Sequence, residues 1–180
     1  MAKKKTPSWA DVQKKLRNFD NTQLLGLIED LYRLSESNKE FFNTRFSLPE
    51  DPLASYKRII QGALHPYLED NEHLDIMKAE SAVDQYTNAS DNANCKTELR
   101  IFFVECGNNF TLSYGYADDD LHDSVIDMYE KAIQCVIELD KEWQNTFRQR
   151  LHDIVDSARS IGWGYHDALT RLYKKSFPAD

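Results

Sequence analysis

Leu24, Leu27, Ile28, Leu31 and Leu34 recur at steps of three and four residues, the spacing that places side chains along one face of an α-helix, and this stripe is the clearest in the chain. Asp20 with Gln23 precedes it as a cap. Ser8 with Asp11 forms the same kind of start one element earlier, ahead of Val12, Leu16 and Phe19, and predicts a first helix over residues 9 to 18. Ser37 with Glu40 predicts a third, carrying Phe41, Phe42 and Phe46 and ended by the Leu48-Pro49-Glu50-Asp51 stretch. Asp51-Pro52 then reads as N-cap and first helical residue of a fourth, with Leu53, Tyr56, Ile60, Ala63, Leu64 and Tyr67 on one face. Ile76, Ala79, Val83 and Tyr86 suggest a fifth, closed by a loop over residues 88 to 94.

Residues 95 to 116 carry two competing patterns. Cys95, Leu99, Phe102, Phe103, Cys106 and Phe110 share a helical stripe, whereas Phe110, Leu112, Tyr114 and Tyr116 alternate as in a strand. Helix to about residue 113 with Gly115 as terminator is the better reading, since a lone strand would have no partner. Residues 118 to 139 form an amphipathic helix through Leu121, Val125, Tyr129 and Ile133. Asp140 caps the next, which Gly162 stops, and a last helix from Gly164 buries Leu169, Leu172 and Tyr173. The expected fold is all-α: an irregular bundle of about eight or nine helices built from antiparallel helical hairpins, without a regular repeat. Residues 1 to 7 are expected to be a basic flexible tail and 8 to 180 a single all-helical domain.

Charge narrows the function classes. The chain of 180 residues has 22 basic and 30 acidic side chains, a net of −8, which disfavours nucleic acid, whose phosphates demand a basic surface. Six basic groups against two acidic ones fall in residues 1 to 20, so DNA binding through the first two helices is a secondary alternative. No run of apolar residues reaches the roughly 20 needed to span a bilayer, and no secretory leader is evident, so a cytoplasmic protein without membrane partners is expected. Cys95, Cys106 and Cys135 show no zinc or disulfide spacing and are expected to be reduced thiols.

Phosphate-binding loops, dinucleotide fingerprints, nucleophile elbows and zinc-protease motifs are all missing, so neither catalytic residues nor a cofactor or metal ligand set is assigned. Three His-Asp pairs, His122-Asp123, His152-Asp153 and His166-Asp167, leave a metal-dependent phosphohydrolase as the alternative function. Adjacent helical residues diverge by about 100°, however, so each dipeptide splits between faces and the three histidines are not expected to meet. The run Asp118-Asp119-Asp120, with Asp123 and Asp127 beyond it, could attract a divalent cation but better suits a helix N-terminus. Two glycine-aromatic corners, Tyr114-Gly115-Tyr116 and Gly162-Trp163-Gly164-Tyr165, supply the candidate partner-binding residues Tyr114, Tyr116, Trp163 and Tyr165, with core plugging as the competing role. The preferred function is a non-enzymatic protein-binding or regulatory module, whose partner is another protein or a second copy of itself.

Several of these stretches also suggest kinship. Ser8-Trp9-Ala10-Asp11-Val12-Gln13-Lys14-Lys15-Leu16, the helix Leu24-Leu25-Gly26-Leu27-Ile28-Glu29-Asp30-Leu31-Tyr32, the Asp51-Pro52-Leu53 turn and the two glycine-aromatic corners together resemble an uncharacterised bacterial domain-of-unknown-function family of small all-helical proteins. The resemblance spans nearly the whole chain and implies a bacterial cytosolic protein. It brings no functional residues, and His122, His152 and His166 are not part of its pattern.

Overall fold

The computed structural model describes residues 6 to 66, 73 to 115, 119 to 162 and 164 to 178. Among these the chain is all-α, with nine α-helices and no strand. Contacts group into two compact units, Met1–Phe46 and Ser47–Asp180, where the sequence suggested a single domain from residue 8. Residues 1 to 5 of the expected basic tail, together with Tyr67 and Asp118, lie outside the described residues.

The first unit holds α1 (Trp9–Leu16), α2 (Asn21–Leu34) and α3 (Glu36–Arg45). Its caps are built from side chains. The Asp11 carboxylate accepts from the Ser8 backbone N–H at 2.9 Å and from its hydroxyl at 2.7 Å, bonds that hold Asp11 below the usual carboxylate range. Asp20 and Gln23 exchange reciprocal bonds at 2.8 and 3.0 Å, satisfying two amides that the helix leaves without internal acceptors. The third helix is capped by Ser35, which accepts from the Asn38 N–H at 3.1 Å, rather than by Ser37. Because Ser35 ends α2 and starts α3 in extended backbone, the two helices form a tight hairpin. It is held by Tyr32 against Phe42, with ring centroids 6.1 Å apart, and by the Asn38 amide donating to the Leu31 carbonyl at 2.6 Å.

The second unit contains α4 (Ala54–Leu64), α5 (Ile76–Ala89), α6 (Ala93–Tyr114), α7 (Asp119–Glu138), α8 (Lys141–Ser157) and α9 (Tyr165–Ser176), with a 3-10 turn at Ala158–Ser160. Helix α4 starts two residues later than the Asp51-Pro52 cap implies. Asp51 instead accepts from the Leu53 N–H at 2.9 Å, an Asx-type turn that Pro52 permits. Between α5 and α6 only residues 90 to 92 are non-helical, and Asn92 caps α6 by accepting from Cys95 N–H at 3.1 Å. The disputed stretch is helix throughout its described part. It ends at Gly115 in the left-handed region, φ 60°, and Tyr116 lies outside the described residues.

Helix α6 is the central element, packed against α4, α5, α7 and α8. Leu99, Ile101, Phe103, Val104 and Phe110 are fully buried, which is why its apolar pattern runs nearly all round the helix. At Gly107 the α7 helix comes so close that an added Cβ would collide with the Val125 side chain. Full burial of an aromatic or branched side chain stabilises by roughly 1.5 to 3 kcal/mol.

Two polar devices fasten the helices around α6. Arg150 of α8 donates to both carboxylate oxygens of Glu105, at 2.9 and 2.8 Å, and also pairs with Glu98. Glu98 in turn accepts from Lys57 of α4 at 2.6 Å. Burial works to raise the Glu98 pKa, but the bonds from Arg150 and Lys57 outweigh it and hold the carboxyl below its usual range. Asn108, itself buried, donates from its amide nitrogen to the Ser157 hydroxyl at 2.9 Å and accepts from the Tyr165 hydroxyl at 3.3 Å.

Candidate functional site

Of the four aromatic residues expected to present a recognition surface, Tyr116 and Trp163 lie outside the described residues. Tyr114 is 39% exposed, with its ring against Phe110 and His65 at 4.9 and 5.9 Å. Tyr165 is corrected: at 1% exposure it is core, not surface, because the amphipathic face of α9 begins with it. Burial raises its phenol pKa. At that corner the left-handed residue is Gly164, φ 76°, rather than Gly162.

The three histidines divide. His122 is buried in α7, its ring 4.7 Å from that of Tyr165. His152 and His166, in contrast, line the same recess between α8 and α9, together with Asp156, Thr170, Tyr173 and Phe177. The sequence places His152 and Asp156 as neighbours on one helical face, and their Nδ1 and Oδ2 are 3.7 Å apart. It does not foretell that α9 brings His166 to the other side.

This recess of about 540 Å³ has an aromatic bed and a cationic rim. Tyr173 packs against Phe177 at 5.2 Å and edge-on to His152 at 5.4 Å. Arg148 lies over the Phe177 ring at 5.2 Å and donates from Nε to the Tyr173 hydroxyl at 3.4 Å. Arg159 pairs with Asp156 at 2.7 Å, and its hydrogen bond leads the influences that hold that carboxyl below its usual range. Thr170 Oγ1 lies 3.3 Å from His166 Nε2, and Lys174 completes the rim. With neutral imidazoles the lining carries three cations and one carboxylate, an island of positive charge on a chain of net charge −8. The helical pattern could have disclosed half of it, since Arg148, His152, Asp156 and Arg159 step by three or four residues.

A second recess, of about 630 Å³, is the electrostatic opposite, lined by Asp75, Glu80, Asp120, Asp123 and Asp127. Ser124 donates to Glu80 across it at 2.6 Å. Among the described residues no group of three or more His, Cys, Asp or Glu side chains is placed to hold a metal ion. The three cysteines are free thiols, and burial pushes Cys106 up to about 12.

A run of exposed apolar side chains lies in the first unit. None of the large apolar side chains of α1, α2 or α3 is buried: Trp9 is 68% exposed, Leu25 66%, Leu34 75% and Phe46, at the end of α3, 64%. Scattered apolar residues are ordinary on a surface, whereas these fall on three successive helices.

No helix among the described residues is long and apolar enough to cross a membrane. No protein-family model matches the chain, and neither a curated protein nor a solved structure is similar to it.

Proposed function

We propose that this chain is a non-enzymatic protein-binding module of the bacterial cytosol, which offers the apolar faces of α1 to α3 to a groove on a partner protein. The observation that carries this reading is that helices with strong amphipathic patterning and well-formed caps bury none of their large apolar side chains. A helix whose stripe lacks a cover gains its stability when another surface supplies one, the helix-in-groove mode of recognition. Nucleic acid suits this surface less well, since its exposed stripe presents Trp, Leu and Phe side chains, which form no ion pair with a phosphate. The phosphohydrolase alternative is disfavoured by charge, because Arg148, Arg159 and Lys174 stand around the histidine pair and repel a divalent cation.

Photo-cross-linking in the native host tests the reading. A cross-linker at position 28 or 31, where Ile28 and Leu31 are exposed on the stripe of α2, is expected to capture one stoichiometric partner, and a cross-linker at position 137, where Ile137 of α7 is exposed, is not. The same adducts from all three positions, or none from 28 and 31, would overturn it. An Ile28→Asp, Leu31→Asp variant should lose the partner while keeping its helical circular dichroism.

A further inference from the structure

The recess between α8 and α9 is independent of that apolar face and has different chemistry. We infer that it binds a small ligand made of a phosphate monoester joined to a planar apolar body. The body's place is the aromatic bed of Tyr173 and Phe177, backed by the nearly buried Val155. A volume of about 540 Å³ is that of a small-molecule pocket, whose usual span is roughly 300 to 1,000 Å³.

Charge selects the head group. Arg148, Arg159 and Lys174 against Asp156 leave the lining at +2 when both imidazoles are neutral. A phosphate monoester carries about −1.5 to −2 at neutral pH and neutralises that excess, whereas a carboxylate covers only half of it. The donors are organised in advance. Asp156 orients Arg159 through a 2.7 Å ion pair, and the Tyr173 hydroxyl and the Phe177 ring fix Arg148. Each guanidinium has five N–H donors, so these contacts leave others for phosphate oxygens. Lys174 has no ion-pair partner among the described residues. Thr170 and the two imidazoles add shorter-range polar groups to the lining. Asp156 serves as a positioning residue.

Phenyl phosphate, phenol and inorganic phosphate are suitable probes, followed by titration calorimetry and amide chemical shifts on the full chain. Phenyl phosphate is expected to bind about tenfold or more tightly than either fragment, with shifts centred on Thr170 and Tyr173, since a charge-assisted bond is worth about 1.5 to 3 kcal/mol. Lys174→Glu and Arg159→Ala should each weaken it by about tenfold, and Lys174→Arg should retain it. Lys174 and Arg159 are exposed side chains, so unfolding midpoints should stay put while affinity falls. Equal binding of phenyl phosphate to wild type and Lys174→Glu, or shifts located elsewhere, would overturn the assignment. Tighter binding of a phosphotyrosine peptide than of phenyl phosphate would overturn the small-ligand class, and binding of inorganic phosphate alone would reduce the recess to an adventitious ion site.

Discussion

The six helices of residues 47 to 180 bury Tyr56, Tyr86, Phe103, Phe110, Tyr129 and Leu151 almost completely, whereas α1 and α2 have no buried residue. Their charges differ as well: Met1–Phe46 carries nine basic and six acidic side chains, a net of +3, and Ser47–Asp180 carries 13 and 24, a net of −11. Local signals are no weaker in the first unit, which has two capping boxes and the most regular stripe. What it lacks is full cover, since its large apolar side chains are half-buried at best, and a helix draws most of its stability from packing rather than propensity. Strong helical patterning therefore says that a segment will be a helix, not that its apolar face is satisfied.

Matched substitutions sharpen that contrast. Phe103→Ala, in the fully buried side of α6, should cost about 3 to 5 kcal/mol and lower the denaturant midpoint strongly. Leu25→Ala should stay within about 0.5 kcal/mol in the same titration. Comparable losses at both sites would show that the first unit hides its leucines in solution. Gly107→Ala comes next. Alanine is ordinarily the better helix former, but here its methyl would drive into Val125, so a net loss of about 1 to 3 kcal/mol is expected and a gain would break the picture of tight α6–α7 packing.

Arg150→Ala should cost about 1 to 2 kcal/mol, because Glu98 and Glu105 remain partly buried without their shared cation and partial solvent contact softens the loss. Its pH dependence has a definite sign. Glu98 lies below its ordinary value of 4.5 in the folded chain, so its contribution is complete above that pH and is lost as pH falls through the folded value. The stability gap between wild type and Arg150→Ala should consequently narrow in acid. Gly115→Ala should cost about 1 kcal/mol, measured by thermal unfolding, since a side chain is strained at φ 60°.

Much of this architecture is legible along the chain. Ser8 with Asp11, Asp20 with Gln23, Asp140 and Gly115 all mark helix ends, since capping is chemistry among residues three or four apart. The third start is misread by two residues because Ser35 and Ser37 both fit the cap pattern, and only backbone geometry distinguishes them. Gly107 reads as an ordinary helix interior, its role being set by Val125 eighteen residues away. The recess between α8 and α9 is half legible: α8 and the 3-10 turn after it lay out Arg148, His152, Asp156 and Arg159 by helical period, while His166, Thr170, Tyr173 and Lys174 join them through helix packing that no local spacing encodes. Tyr165 is the instructive miss. A tyrosine beside glycine suits both a surface and a plug, and Asn108, 57 residues earlier, decides for the plug.

Asn108 has a further consequence for how α9 comes away. The Ser157 hydroxyl gives its proton to the Ile154 carbonyl at 2.9 Å, so it can meet Asn108 only as an acceptor, and the Tyr165 hydroxyl must donate. The carboxamide therefore has one usable orientation, nitrogen toward Ser157 and oxygen toward Tyr165. It works as a keyed latch rather than as grease. Withdrawal of Tyr165 strands the Asn108 oxygen in the interior, which makes partial sliding of α9 costly and favours release in a single step.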